Sequence, residues 1–339
     1  MSSNSSGGFL RGCLVVICIF FLIGVAFSIV LVAAIGSIAS SMGNASFTEK
    51  DYSVEFISGN SGADNRIAVI DVKGEITSES DSFGASVANS RDIVKLIRAA
   101  AEDDSVKAII IDLDTPGGEV TASDEIYHEL KICGKPVVAM MNSLAASGGY
   151  YVACGANKIV ANRNTLTGSI GVIISSVDAS GLLEWAKVKP EFYTSGKMKA
   201  MLNPALPTTE EEAKVIQALV MDVYSDFAGI VSEARKIPLE KITNGDLGDG
   251  RVFDGKQALE NGLVDELGYF STAEDAALEL AGLTRDNCAI ERFKTETSLA
   301  DILGLFSVKS QPVTFNSLLS GTNIVLPKAG CPYYLMTGF

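Results

Sequence analysis

Ser147 is the residue whose setting most favours nucleophilic chemistry. It lies in the run LAASGGYY, residues 144–151, and the glycines that follow it remove side-chain obstruction from an approaching peptide. A nucleophilic serine needs a base beside it. The one histidine in the sequence, His128, precedes Ser147 among charged neighbours, which is typical of a solvated side chain. An imidazole base is therefore disfavoured.

Two lysines, Lys197 and Lys199, offer an alternative base. They lie in YTSGKMKA, residues 193–200, with apolar residues around Lys199. An ordinary lysine is charged at neutral pH, and burial among apolar side chains disfavours that charge. In an extended segment both lysines face the same side, so spacing alone leaves both open as the base.

Three further residues have the chemistry to support such a pair. The N–H of Gly148, directly after the serine, and that of Gly118, in the turn DTPGG at 114–118, are candidate donors to an oxyanion. Ser169, in TGSIGV at 167–172, offers a hydroxyl that can orient a neutral lysine. The plainer alternatives are that Ser147 is a helix N-cap and that Ser169 is an ordinary turn serine.

Composition excludes several other classes. The chain has 339 residues and a net charge of −14, with no basic tract, which argues against nucleic acid as a partner. The six cysteines are scattered without metal-ligand spacing and do not form a disulfide framework. No metal and no cofactor is therefore expected.

The N-terminal segment predicts a membrane anchor. Residues 13–38 are almost wholly apolar, roughly 26 residues or about 39 Å as a helix, which is enough to cross a bilayer with tilt. Arg11 places the tail, residues 1–12, in the cytoplasm and the main body outside it. A polar stalk is expected over 39–65. A cleaved signal peptide is the alternative, although the apolar stretch is long for one.

The remainder predicts an α/β domain, with a C-terminal extension over 291–339 that we expect to be partly mobile. Strand-like and helix-like patterns alternate, as in repeated βαβ units. We expect strands at 67–72, 108–113, 137–141 and 158–161, helices at 90–102 and 123–132, and a long helix beginning near Thr208 with a Thr208–Glu211 capping box.

These segments together resemble the signal peptide peptidase A family, also called protease IV, in its short single-unit form. The matching stretches are 66–76, 106–118, 144–172, 192–200 and 249–268. The resemblance implies an α/β superhelix of the Clp-protease and crotonase type over 66–290. One departure is Thr115, where the family usually has serine before Pro-Gly-Gly.

The resemblance also implies roles for single residues. It makes Ser147 the nucleophile, Lys199 rather than Lys197 the base, and Ser169 the partner of that lysine. Family members are membrane-anchored homo-oligomers in which serine and lysine meet across a subunit boundary. Their substrates are signal peptides and other hydrophobic peptides, cleaved on the extracytoplasmic side of the cell membrane.

Three alternatives stay open beside this prediction. A related membrane serine protease that acts on stomatin-like proteins is the nearest enzymatic one. A crotonase-like acyl-CoA enzyme is disfavoured because acyl-CoA is cytoplasmic. A non-catalytic membrane scaffold of the same fold is the alternative from another class.

Overall fold

Alternating strands and helices form the part of the chain that the computed structural model describes, residues 52–79, 87–295 and 332–335. The predicted tail and membrane span, residues 1–38, lie outside that part. So do residues 39–51 of the predicted stalk and most of the C-terminal extension.

A nine-stranded mixed sheet is the centre of the fold. Its main path is β1-β12-β2-β5-β7-β8-β11, and the short strands β9 and β10 continue it beyond the end of β7. Strands β12, β2, β5, β7 and β8 run parallel, whereas β1 pairs antiparallel with β12. The strands are β1 (Tyr52–Gly59), β2 (Asn65–Lys73), β5 (Val106–Thr115), β7 (Val137–Ala146), β8 (Lys158–Ala161), β9 (Leu166–Gly168), β10 (Val252–Asp254), β11 (Glu266–Leu267) and β12 (Cys288–Thr295).

A second sheet of four short strands adjoins the first. Its order is β13-β6-β3-β4, with strands β3 (Glu75–Thr77), β4 (Val87–Asn89), β6 (Gly117–Glu119) and β13 (Tyr333–Leu335). Eight α-helices are found among the described residues: α1 (Ser90–Glu102), α2 (Val120–Ile132), α3 (Gly148–Ala153), α4 (Ser180–Trp185), α5 (Glu210–Arg235), α6 (Leu239–Thr243), α7 (Gly255–Glu260) and α8 (Phe270–Ala281).

Both faces of the central sheet are covered, which explains its sequence pattern. Strand β5 carries the continuous run Ile109-Ile110-Ile111, and all three side chains are fully buried. Ile109 and Ile111 belong to the larger core, with α1, α2 and part of α5, while Ile110 belongs to a smaller core with α8. Parallel strands covered on both faces read as unbroken apolar runs. The predicted α/β class is confirmed.

The structure corrects three sequence-based boundaries. Residues 52–59, assigned to the stalk, form β1, which is largely exposed and therefore shows no core-facing pattern. Strand β12 continues past residue 290 to Thr295. The capping box of α5 is Thr209–Glu212, one residue later than predicted, because Thr209 accepts the Glu212 N–H while the Glu212 carboxylate accepts the Thr209 N–H.

Helix α5 is long and is only partly covered. Among the described residues it is the one helix long and apolar enough, by length and composition, to cross a membrane. Its second half packs into the core through Phe227, Ala228 and Val231, whereas Leu219 in its first half is half-exposed. The apolar side of this helix is thus buried along only part of its length.

Candidate active site

Ser147 lies at the sharp turn where β7 ends and α3 begins. Its backbone has φ 53° and ψ −114°, and only 1% of its surface is exposed. A positive φ at a residue other than glycine costs about 1–3 kcal/mol and persists only where the surroundings impose it. A serine on a strained strand-to-helix turn is the arrangement that presents the nucleophile in α/β-hydrolases.

The neighbours of Ser147 hold this turn in place. Its N–H donates to the Gly168 carbonyl at 2.8 Å, and its carbonyl accepts from the Tyr151 N–H at 2.9 Å. A methyl group on Gly149 would lie 2.6 Å from Thr115 Cγ2. Glycine at position 149 is therefore required for β5 and α3 to approach each other this closely.

Three glycines converge beside the serine. A methyl group on Gly117 would lie 2.6 Å from the Gly148 nitrogen, and one on Gly148 would lie 3.1 Å from the Gly118 nitrogen. Thr115, fully buried, accepts the Gly117 N–H through its hydroxyl at 3.1 Å. The two predicted oxyanion donors, Gly118 and Gly148, thus lie close together. Thr115, where the family usually has serine, still provides a hydroxyl in that turn.

Ser169 lies beside Ser147 at the end of the neighbouring strand. Strands β7 and β9 are parallel, with Ala146 opposite Gly168, so the next residue of each is a serine. Ser169 also has a positive φ, 50°, and is buried, and its N–H donates to the Arg251 carbonyl at 2.8 Å. The structure therefore brings the two predicted serines together.

Lys199 is not joined to these serines within the chain. It is exposed in a turn, and among the described residues it has no hydrogen-bonding or ionic side-chain partner. Lys197, in contrast, contacts both carboxylate oxygens of Glu211, at 2.6 and 2.8 Å. We expected the apolar neighbours of Lys199 to bury it. In the single described chain they do not, because Met198 and Ala200 are only half-buried themselves.

The region around Lys199 exposes many large apolar side chains. Helix α4 contains no buried residue. The most exposed members are Trp185, at 82%, and Tyr193, at 93%, followed by Leu182, Val177, Val188 and Phe192. Large apolar patches of this kind are typical of interaction surfaces.

A charged cluster that the sequence analysis missed lies behind the Ser147 turn. Buried Asp112 is 3.2 Å from Lys73 Nζ and 3.3 Å from Arg292 Nη2, and it accepts from Asn142. The next aspartate, Asp114, accepts the Leu144 N–H at 3.1 Å. These carboxylates fix the irregular stretch of β7 that leads to Ser147. Aspartates within an otherwise apolar strand were the available signal, because a buried charge needs partners.

Burial alone lowers the pKa of Lys73, but its hydrogen bond to Asp71 and the charge of Asp112 raise that pKa above its ordinary value. The lysine therefore keeps its charge within the cluster.

Burial raises the pKa of the Cys154 thiol to about 12, so this cysteine stays protonated and unreactive at neutral pH.

In the part of the chain that the structure describes, the histidine and the cysteines do not form a second site. His128 is exposed on α2. Within the described ranges, no three His, Cys, Asp or Glu residues are arranged to hold a metal ion. Cys154 and Cys288 are free and buried, and Cys133 is free and half-buried.

The fold and site together define an α/β protein with a strained serine next to paired backbone donors. The profile of Peptidase family S49 matches residues 129–284. A putative signal peptide peptidase SppA from Enterococcus faecium is 40% identical over 243 residues, 70% of this chain and 70% of that protein. Protease 4 of Haemophilus influenzae is 34% identical, over 72% of this chain but 39% of its own length.

One solved structure completes the comparison. A ClpP1 mutant from Listeria monocytogenes is 17% identical, with a TM-score of 0.42, over 60% of this chain and 93% of that one. On its sequence relatives, the chain belongs to peptidase family S49, together with proteins named signal peptide peptidase SppA and Protease 4. It is a peptidase by family.

Proposed function

We propose that this chain is a serine endopeptidase for hydrophobic peptides, with Ser147 as nucleophile and Lys199 of a second copy as general base. The observation that carries the proposal is the strained Ser147 turn beside the converging nitrogens of Gly118 and Gly148. Strain at a buried serine, together with donors for a developing negative charge, is the arrangement that acyl transfer needs.

The reaction would run as follows. Neutral Lys199 accepts the Ser147 proton while Oγ attacks the peptide carbonyl, and the Gly118 and Gly148 N–H groups stabilise the oxyanion. The lysine then protonates the leaving amine and activates the water that hydrolyses the ester. Ser169 orients the lysine; its position next to Ser147 supports that role.

Two observations favour a base supplied in trans. Lys199 is exposed in the single chain, so a partner surface can bury it, and the apolar side chains around it suit such a contact. Lys197 is held by Glu211, which leaves Lys199 as the more available of the two. Burial against a second copy would disfavour the charged form of Lys199 and prepare it as a base.

The substrates we propose are signal peptides and similar apolar segments, which the names of the relatives indicate. The predicted span over 13–38 would anchor the enzyme in the cell membrane, with the peptidase domain outside the cytoplasm.

The test compares variants of the full chain in detergent, on an apolar signal-sequence peptide and with a serine-reactive phosphonate. We expect Ser147→Ala to abolish both cleavage and labelling. Lys199→Ala should reduce cleavage by about 10²–10⁴-fold, the usual contribution of a general base. The matched control, Lys197→Ala, should retain activity.

Full activity of the Lys199→Ala variant would overturn the assignment of Lys199 as the base. So would inactivity of the Lys197→Ala variant while Lys199→Ala stays active. A folded wild-type chain that neither cleaves the peptide nor reacts with the phosphonate would instead support a non-catalytic scaffold.

A further inference from the structure

Strand β7 contains a bulge just before the active-site turn, at residues 142–144. Met141 pairs with Leu113 of β5, but the next pair is Ala145 with Thr115. Four steps along β7 thus lie opposite two steps along β5, so β7 holds two extra residues. Bulges of this kind re-aim the side chains that follow them and are common next to active sites.

The bulge sets how far along the sheet the serine lies. If the earlier register of β7 on β5 continued unbroken, Ser147 would be level with Glu119, whereas the extra residues make it level with Gly117. Two residues of extended strand correspond to about 6.6 Å. A methyl group on Gly117 would lie 2.6 Å from the Gly148 nitrogen, which is the close approach that the shorter path allows. The bulge thus determines whether Ser147 meets the glycine N–H groups.

Side chains of the neighbouring strands hold the bulge in place. The Asp114 carboxylate accepts the Leu144 N–H at 3.1 Å, and the Asp112 carboxylate accepts from the Asn142 amide. From the side of β9, the hydroxyl of fully buried Thr165 donates to the Asn142 carbonyl. A bulge takes backbone groups out of the regular ladder, and these side chains supply the missing partners.

The Asp114 carboxylate differs from its neighbour in having the bulge as its one described partner. Asp112 also contacts Lys73 and Arg292, at 3.2 and 3.3 Å, whereas no cation pairs with Asp114 within the described residues. The backbone of Asp114 is itself fixed, because its carbonyl accepts the Gly74 N–H at 3.0 Å. A half-buried carboxylate that is anchored in β5 and accepts a backbone N–H of the bulge is suited to fixing the position of β7.

We propose that Asp114 is a positioning residue for Ser147, because it holds the bulge that brings the serine to its oxyanion donors. The inference rests on the proposed function, in which Ser147 is the nucleophile. Without the hydrogen bond from the Leu144 N–H, the bulge relaxes and the serine shifts along the strand direction. A displacement of about 1 Å at a reacting group costs about 10²-fold in rate. The loss should therefore fall on kcat rather than on KM.

Two substitutions at Asp114 test this in the full chain in detergent. Asp114→Ala removes the acceptor and should lower kcat on the signal-sequence peptide about 10- to 100-fold, with KM changed by less than about threefold. Labelling of Ser147 by the phosphonate should slow in parallel. Asp114→Asn keeps an oxygen that accepts the Leu144 N–H, although more weakly than a carboxylate does, and should restore kcat to within about threefold of the wild type.

Asp71→Ala is the matched control. Asp71 pairs with Lys73 and Arg292 in the same charged cluster but makes no described contact with the bulge. This variant should keep the wild-type kcat, even where thermal unfolding shows it to be as destabilised as Asp114→Ala. If Asp114→Ala does not fold, Asn142→Ala tests the bulge through its other hydrogen bond and should lower kcat about tenfold.

Three results would overturn the inference. They are a wild-type kcat in folded Asp114→Ala or Asn142→Ala, an equal loss of kcat in Asp114→Asn and Asp114→Ala, and the same loss in Asp71→Ala. In each case a wild-type chain that cleaves the peptide leaves the proposed function standing. A wild-type chain that neither cleaves the peptide nor reacts with the phosphonate removes both the proposed function and this inference.

Discussion

At the scale of single residues, the site is defined by two serines that adopt backbone conformations unusual for serine. Ser147 and Ser169 have φ values of 53° and 50°, and they follow paired residues of adjacent parallel strands. Strain at both positions costs stability that the surrounding hydrogen bonds offset. A merely structural N-cap has no need of a positive φ, and the Ser147 side chain makes no capping hydrogen bond.

This strain predicts that two substitutions at Ser147 differ in stability although both remove activity. Ser147→Gly should raise the free energy of unfolding relative to Ser147→Ala by about 1 kcal/mol, because glycine adopts a positive φ without a Cβ penalty. Both variants should lack peptidase activity. Thermal unfolding of the two full-length variants measures the difference, and equal stability would contradict a strained Ser147.

The sequence predicted most of these residues. Ser147, Ser169, Gly118 and Gly148 lie together as expected, because the motifs that contain them end adjacent strands of one sheet. Their catalytic roles stay predictions. The cluster around Asp112 escaped notice, because its partners come from strands distant in sequence.

At the scale of elements, local pattern predicted the central strands β2, β5, β7 and β8 and the helices α1, α2 and α5, but not α4, α6, α7 or α8. Helix α1 begins and ends where expected, because Asn89 caps it and its apolar residues repeat at helical spacing. The other strands, among them β1, β6 and β13, were not predicted. Strands β6 and β13 are three residues each, and all three depend on partners far along the chain, which no local periodicity records.

The contact between α3 and β5 makes Gly149 sensitive to substitution. Gly149→Ala would bring a methyl group to 2.6 Å from Thr115 Cγ2, so the Ser147 turn must shift. We expect at least about a tenfold fall in kcat/KM, because small displacements of a catalytic group are costly.

The control for Gly149 is Gly229→Ala in α5, where a methyl group meets no atom within 4 Å. It should leave activity unchanged and raise stability by about 0.5–1 kcal/mol, as expected in a helix interior. Peptide cleavage assays and thermal unfolding of both variants test this pair. Full activity of Gly149→Ala would contradict the tight packing behind the serine.

The junction between α5 and β11 depends on one ion pair. Arg235 contacts both oxygens of Asp265, at 3.0 and 2.7 Å, and Asp265 also accepts the Ile159 N–H at 2.7 Å. Burial alone raises the pKa of Asp265, but the hydrogen bonds from Arg235 and Ile159 lower it below its ordinary value. The charged form of Asp265 therefore stabilises the fold.

Asp265→Asn should destabilise the protein at neutral pH by about 1–3 kcal/mol, nearer the lower value because solvent screens a 36% exposed carboxylate. Since the folded pKa is lowered, this difference should shrink below about pH 4 and vanish below the folded value. Unfolding measured against pH tests this. The exposed Lys158–Glu266 pair supplies the control, Glu266→Gln, for which we expect less than about 0.5 kcal/mol. A constant difference across pH would contradict the account.

At the scale of the whole molecule, the described chain leaves a large apolar surface uncovered. Trp185, Tyr193 and Leu219 are exposed in or near the segment that carries Lys199. A chain with a net charge of −14 can remain soluble with such a patch, but contiguous apolar surface usually has a partner. The proposed second copy of this chain, which would supply Lys199, would also cover this patch.

The larger-scale predictions rest on different grounds. The α/β class followed from alternating strands and helices, and family membership followed from short motifs in fixed order. The superhelix of the Clp and crotonase type, the homo-oligomer and the anchor over 13–38 stay predictions. Oligomer contacts in particular cannot be recognised from the sequence of one chain, because an apolar residue at an interface has the same residue type as an apolar residue in the core.

Complementation between two inactive variants tests the shared site most directly. Full-length Ser147→Ala and Lys199→Ala chains with different tags are co-expressed, and mixed oligomers are isolated through both tags in turn. Each variant alone should be inactive on the signal-sequence peptide. Mixed oligomers should regain part of the wild-type activity, because some interfaces pair an intact Ser147 with an intact Lys199. Inactive mixed oligomers, with both chains verified present and folded, would contradict a serine–lysine site formed between subunits.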